Sequence, residues 1–224
     1  MSEAKKNPVG AIVFCIFVLA LPVMTVYFSK SGLDKYKNLR SEMAFLKDSI
    51  RISFDDKEVY GGAQLDNEFI KGKLVLVAFW DQSCTANFTT VIDSMKAIQH
   101  LLSADDQRKL LFVVQTEDHS QDSTWNVFDY AQDWQLDTMF WKFQKPVDRT
   151  AFKIEGKDCF NIAMLDGRVS RKDESGDYKK GPLLCDYYQI NKSEDVQAML
   201  KHMAVIMPAK KRKSIEYKAD ENLY

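Results

Sequence analysis

Residues Val9 to Phe28 (VGAIVFCIFVLALPVMTVYF) make a run of twenty positions without a single charge. Twenty helical residues at about 1.5 Å each span about 30 Å, the thickness of a bilayer's hydrocarbon layer. The run is long for the apolar part of a cleaved leader, and no A-x-A pattern precedes the polar Ser29-Lys30-Ser31, so it reads as an uncleaved anchor. Cys15 is not a lipidation site, because bulky Phe14 stands where a small residue is needed, and it is read as one more apolar anchor residue. Pro22 is tolerable, since neighbouring groups can satisfy the carbonyl it frees. The chain divides accordingly into an N-terminal tail (1–8), a transmembrane helix (9–28), a helical stalk (29–50), a folded domain (51–207) and a basic C-terminal tail (208–224).

Charge follows the same division. The formal net charge of -1 over 224 residues is made of +3 in 1–50, +2 in 208–224 and -6 in 51–207. An acidic domain lacks the basic face that phosphate contacts need, so nucleic acid is excluded as a partner. An apolar fraction of 46% excludes wholesale disorder and implies a packed core. Lys5 and Lys6 flank one side of the anchor, and Lys30, Lys35, Lys37 and Arg40 the other, a balance that by the positive-inside rule would put the domain in the cytoplasm. Leu33, Tyr36, Leu39, Met43 and Leu46 recur at helical spacing, which predicts a stalk lying against its own domain, with a dimer seam as the alternative.

Within the domain, Leu74 to Trp80 (LVLVAFW) and Leu110 to Val114 (LLFVV) are continuous apolar runs of the kind buried on both faces of a sheet. Between them Phe88, Val91, Ile92, Met95, Ile98, Leu101 and Leu102 fall on one helical face, and a helix carrying Trp125, Val127, Phe128, Tyr130 and Trp134 follows. This βαβα order predicts a parallel core. Asn161 to Leu165, a turn at Asp166 and Gly167, and Leu183 to Tyr188 read as later antiparallel strands. Ser193 is placed as the cap of a last helix with Val196, Met199, Leu200 and Met203 inward, which Pro208 stops. The fold class is α/β with a central mixed sheet.

Ligands of such sheets sit beyond the carboxyl ends of the strands, which selects the loops Asp81 to Cys84 and Thr116 to Asp122. Cys84 is the candidate catalytic thiol, since a position just before a helix supplies free N–H groups that favour a thiolate, and it is expected to be the most reactive thiol of the domain. The strand count leaves two disulfide pairings open, Cys159 with Cys185 and Cys84 with Cys159. His119 lies on the second loop as a weak ligand candidate; Asp118 and Asp122 read as loop hydrogen-bonding residues, and His100 and His202 receive no role. Lys210 to Lys213 solubilise the tail, with anionic lipid or an acidic partner as the sharper alternative.

From about Phe69 to Pro208 the pattern resembles the Sco/SenC family of membrane-anchored, thioredoxin-fold proteins. The resemblance rests on Gly72-Lys73 before LVLVAFW, Cys84 in the next loop, Asp118 and Asp122, the Leu165-Asp166-Gly167 turn, and Tyr187-Tyr188 before the last helix. The lysine-rich tail after AVIMP is similar to members from the Bacteroidetes. The resemblance implies a thioredoxin-like domain, copper delivery or thiol chemistry in assembling respiratory cytochrome oxidase, a place in the bacterial cytoplasmic membrane, and a domain on the periplasmic side. The family's metal motif has two cysteines four apart and a distant histidine. Here the second cysteine position is Phe88 and the histidine position Asp158, with Cys159 beside it. Copper(I) prefers thiolate and imidazole, so Cys84, Cys159 and His119 are the only metal candidates left, and a largely degenerate copper site without a resident cofactor is expected. Three readings follow: a Sco-like copper or thiol protein, a metal-free scaffold held to a respiratory oxidase or another membrane complex, and an oxidoreductase acting through Cys84 alone, the last weakened by the lack of a nearby resolving cysteine.

Overall fold

The computed structural model describes residues 8–45, 50–54, 58–59, 65–80, 84–116, 127–145, 151–152, 154, 159–168 and 181–207, with backbone alone for 8–19, 58, 85–86, 127–128 and 145. A single helix, α1 (Pro8–Glu42), runs through the apolar run and the stalk, passing Pro22 without a break. Over the described residues no helix is long and apolar enough to cross a membrane, and the side chains of 8–19, most of the uncharged run, fall outside them.

Six strands form one sheet in the order β1-β4-β3-β2-β5-β6: β1 (Glu58–Val59), β2 (Leu74–Trp80), β3 (Leu110–Thr116), β4 (Trp141–Lys145), β5 (Asn161–Asp166) and β6 (Leu183–Gln189). The central strand β2 pairs parallel with β3 and antiparallel with β5, and β4 continues the parallel set on the far side of β3. Every residue of β2 and β3 is buried, because both faces of the sheet are covered. On one face Leu74, Leu76, Ala78 and Trp80 meet α3 (Thr85–Leu101) through Phe88, Val91, Ile92 and Met95, and α6 (Ser193–Ile206) through Met199 and Met203. On the other, Val75, Val77 and Phe79 pack with Ile52, Phe54, Ile70 and Phe152. Two short helices, α2 (Asn67–Ile70) and α4 (Ala104–Gln107), are capped by Asp66 and Ser103, whose side chains accept from the N–H of Phe69 and Asp106.

Four sequence expectations change. Leu101 points to solvent, 70% exposed, because α3 has passed the edge of the sheet by its last turn. Ser193 is the first helical residue rather than the cap; Lys192 holds that position without a side-chain bond, and the Asp195 carboxylate is used instead on the N–H of Gln189. The stalk meets the domain only at its end. Leu33 and Tyr36 are exposed at 52% and 41%, while Leu39 and Arg40 are half-buried where the last turns of α1 meet α6, ahead of the fully buried Met43. The strand β4 (WKFQK) was not expected at all. Its alternation puts Trp141 and Phe143 into one core while Gln144 is buried on the other face, taking a hydrogen bond from Gln115 Nε2 at 3.0 Å across the β3·β4 pair. The helix expected around Trp134 is α5 (Val127–Asp133), while Trp125 lies outside the described residues.

Gly167, read from sequence as part of a turn, has a sharper reason to be glycine. Its N–H and C=O bond to Lys73 O and Gly72 N, and a Cβ there would stand 2.5 Å from Ile70 O and 2.8 Å from Lys73 O. Backbone oxygens held in place by their own hydrogen bonds, from Lys73 N–H to Ile70 O and from Gly167 N–H to Lys73 O, cannot yield as a side chain would. Gly167→Ala is therefore expected to lower stability by about 1–3 kcal/mol, measured by denaturant unfolding, whereas Gly32→Ala, which meets nothing within 4 Å, should not.

Candidate functional site

Register alone brings the two site cysteines together. In the antiparallel pair β2·β5 Ala78 faces Ile162, so the carboxyl end of β2 lies beside the turn that carries Cys159 and Phe160 into β5. The chain leaves β2 at Trp80 and re-enters at Cys84, the residue that opens α3. Cys84 and Cys159 thus meet beyond the carboxyl end of β2, and they form a disulfide with Cα atoms 5.5 Å apart across 75 positions of sequence. The alternative of Cys159 with Cys185 is corrected. Cys185 lies at the bulge of β6 between the partners of Met164 and Leu165, well along the strand from the Asn161↔Gln189 end that Cys159 precedes. It is a free thiol, wholly buried.

Cys84 has no exposure at all, while Cys159 is partly exposed. The Cys84 side chain makes no capping bond, and the 17-residue helix α3 begins directly after the disulfide. Beside it, Trp80 and Phe88 are stacked with centroids 5.2 Å apart, and Tyr130 and Trp134 close an aromatic cluster at 4.9 and 5.0 Å from Trp80. Phe88, at the place of the second cysteine in the resembled motif, is a fully buried core residue. Closing so long a loop stabilises the fold by about 4 kcal/mol in the chain-entropy picture.

His119, Asp118, Asp122, Asp158 and Asp81 lie outside the described residues. Among the described residues no group of three His, Cys, Asp or Glu side chains could hold a metal ion. Among the described residues at this edge, the two sulfurs are bonded to each other and position 88 offers a ring without a donor, so in the disulfide form they present no soft ligand to copper.

A polar network that sequence reasoning passed over lies between β6, α6 and the end of α1. His202 on α6 is 4% exposed; its Nδ1 is 2.7 Å from the Tyr188 hydroxyl, and its Nε2 is 3.6 Å from the Glu42 carboxylate at the end of α1. Asp186 accepts from the N–H groups of Ala44 and Tyr187, and burial holds its carboxyl above the usual range against those two bonds. Burial, then the Asp186 charge, pushes Tyr187 up to about 12. A lone histidine within an apolar helix face carries no signal that would reveal these partners. His100, by contrast, is exposed.

No family model and no curated protein matches the chain. Solved structures do. The chain is similar to yeast Sco1 at 16% identity and a TM-score of 0.50, covering 73% of this chain and 99% of that one. It is similar to BsSco, a member of the Sco family of cytochrome c oxidase assembly proteins, at 13% identity and a TM-score of 0.47, covering 71% and 97%. It is similar to a thiol-disulfide isomerase from Corynebacterium glutamicum at 12% and 0.44, covering 73% and 99%. The fold is α/β and thioredoxin-like.

Cys185 is shut off from any such chemistry. Desolvation, with the nearby Asp166 charge adding to it, pushes its thiol far above the ordinary range. In the folded protein Cys185 is expected to resist a small alkylating agent for hours at neutral pH and to react only on unfolding, as read by peptide mass analysis; modification in the native state would show that β6 opens.

Proposed function

We propose that the chain is a membrane-anchored, Sco/SenC-like protein that supports respiratory cytochrome oxidase assembly by thiol chemistry at the Cys84–Cys159 pair. The observation that carries this reading is the disulfide itself, set beyond the carboxyl end of the central strand and opening α3. Ligand and redox sites of open α/β sheets lie at that edge. The reading puts α1 through the bacterial cytoplasmic membrane. Its uncharged stretch matches the hydrocarbon thickness, and Leu21, Val23, Met24, Val26 and Phe28 are bare, each more than half exposed. It puts the domain on the periplasmic side, because disulfides persist in oxidising compartments, and that argument outweighs the lysines flanking the anchor.

One feature favours a second reading, a scaffold subunit of a membrane complex without chemistry of its own: Phe88 is locked in the core and Cys84 is closed to solvent. The two separate in a strain lacking this protein. The double variant Cys84→Ser/Cys159→Ser should leave oxidase activity near the level of the empty strain if thiol chemistry is the function, and full rescue by that variant at normal abundance would establish the scaffold.

Copper, if handled, is cargo for the reduced pair. The reduced protein is expected to lose Cu(I) to a strong chelator, and Phe88→Cys with Asp158→His should raise its affinity by at least about tenfold by restoring two soft ligands. One equivalent retained by the unmodified protein against the chelator would contradict a degenerate site.

A further inference from the structure

The disulfide is asymmetric, and the asymmetry assigns the two sulfurs different roles. Thiol–disulfide exchange requires a thiolate to approach one sulfur along the S–S axis, from the side away from the other. Cys84 is fully buried in the core that includes Trp80 and Phe88, so an outside thiolate has no path to it. Cys159 is partly exposed and sits in the turn that feeds β5. The leaving sulfur matters equally, since a thiol of lower pKa leaves faster. Cys84 is the residue at the start of α3, where the helix dipole favours a thiolate. Access and leaving-group stability therefore point in one direction.

We propose that Cys159 is the point of attack by an external dithiol, and that Cys84 is the leaving and later resolving sulfur. This rests on the thiol reading above and reverses the order expected from the helix position alone. In the reducing direction, one thiolate of the dithiol attacks Cys159 Sγ. A bond forms between them, the Cys84–Cys159 bond breaks, and its electron pair leaves on Cys84 Sγ. The second thiol of the donor then loses its proton and attacks the donor sulfur of the mixed disulfide, releasing Cys159 as a thiolate. The donor ends as a disulfide, the domain holds two reduced cysteines, and the two protons of the donor pass to them. The substrate class is thus a dithiol presented on the Cys159 side. In the oxidising direction the same geometry makes Cys159 the sulfur that captures a partner disulfide, and Cys84 the one that resolves it.

The test uses the full-length oxidised chain in detergent with excess glutathione, a monothiol, quenched by acid and mapped by peptide mass. Glutathione is expected on Cys159 at least about tenfold over Cys84. As a second measurement, Cys159 in the Cys84→Ser variant should be alkylated at least about tenfold faster than Cys84 in the Cys159→Ser variant. Glutathione on Cys84, or faster alkylation of Cys84, overturns the assignment while leaving the thiol reading intact. A disulfide that dithiothreitol reduces only when the protein unfolds overturns both, marking the bond as purely structural.

Discussion

The buried central strand β2 is what the rest of the molecule depends on. A seven-residue strand without a polar side chain can exist only where both its faces and both its edges are covered. It is covered by β3 on one edge and β5 on the other, and the two edges run in opposite senses. That opposition makes the site. A parallel neighbour would start at the end of the sheet where β2 starts, whereas an antiparallel one starts where β2 finishes, and so the turn before β5 delivers Cys159 to the loop after β2. The disulfide follows from strand direction before any property of the cysteines is considered.

Along the β6 edge of the sheet, the domain is tied to its stalk by a different set of forces. After α1 ends, the chain runs beside β6, with Phe45 N–H bonded to Cys185 O, Leu184 N–H to Ile50 O and Ile52 N–H to Pro182 O. Met43 is buried against the core, and the Phe45 ring meets Tyr187 edge-on at 5.0 Å. The Glu42–His202 contact is half in water and adds little energy of its own. Apolar burial and backbone pairing therefore hold the junction, within which the Tyr188 hydroxyl is bonded to His202 Nδ1 and Asp186 accepts from the N–H groups of Ala44 and Tyr187. The last turns of α1 pack on α6, while residues 20–38 are exposed, which leaves that earlier part of α1 to act as a spacer.

Much of this was legible in the residues, and the parts that were not have physical reasons. Leu74 to Trp80 is a strand to the residue, because no amphipathic alternative exists for a run with no polar position. The helix after Cys84 and the strands Asn161–Asp166 and Leu183–Gln189 followed from period and turn signals. β4 escaped because Lys142, Lys145 and the buried Gln144 break the apolar run, and the pairing with Gln115 across the sheet accounts for a glutamine in that place. Ser193 failed as a cap because helix entry is decided by where β6 releases the chain, a tertiary matter. The cysteine pairing could not be decided from sequence, since spacing along the chain says nothing of strand order. Once β5 is known to lie against β2, a single pairing survives.

Folding and redox chemistry are linked in this arrangement. A bond that closes a 75-position separation stabilises the native state, and by reciprocity the native state holds the two sulfurs together and makes the bond harder to reduce. Two things relieve that bias. The exposed side of Cys159 lets a partner begin the exchange without unfolding the core, and the start of α3 gives the departing Cys84 a place where negative charge is stabilised. Phe88 then takes on a meaning beyond the missing ligand. In the place of a close second cysteine it removes the competing partner for Cys84, so the only disulfide the helix terminus can form is one that crosses from α3 to β5. Reducing it releases the connection between two elements of the sheet edge, where a bond within one helical turn would release none.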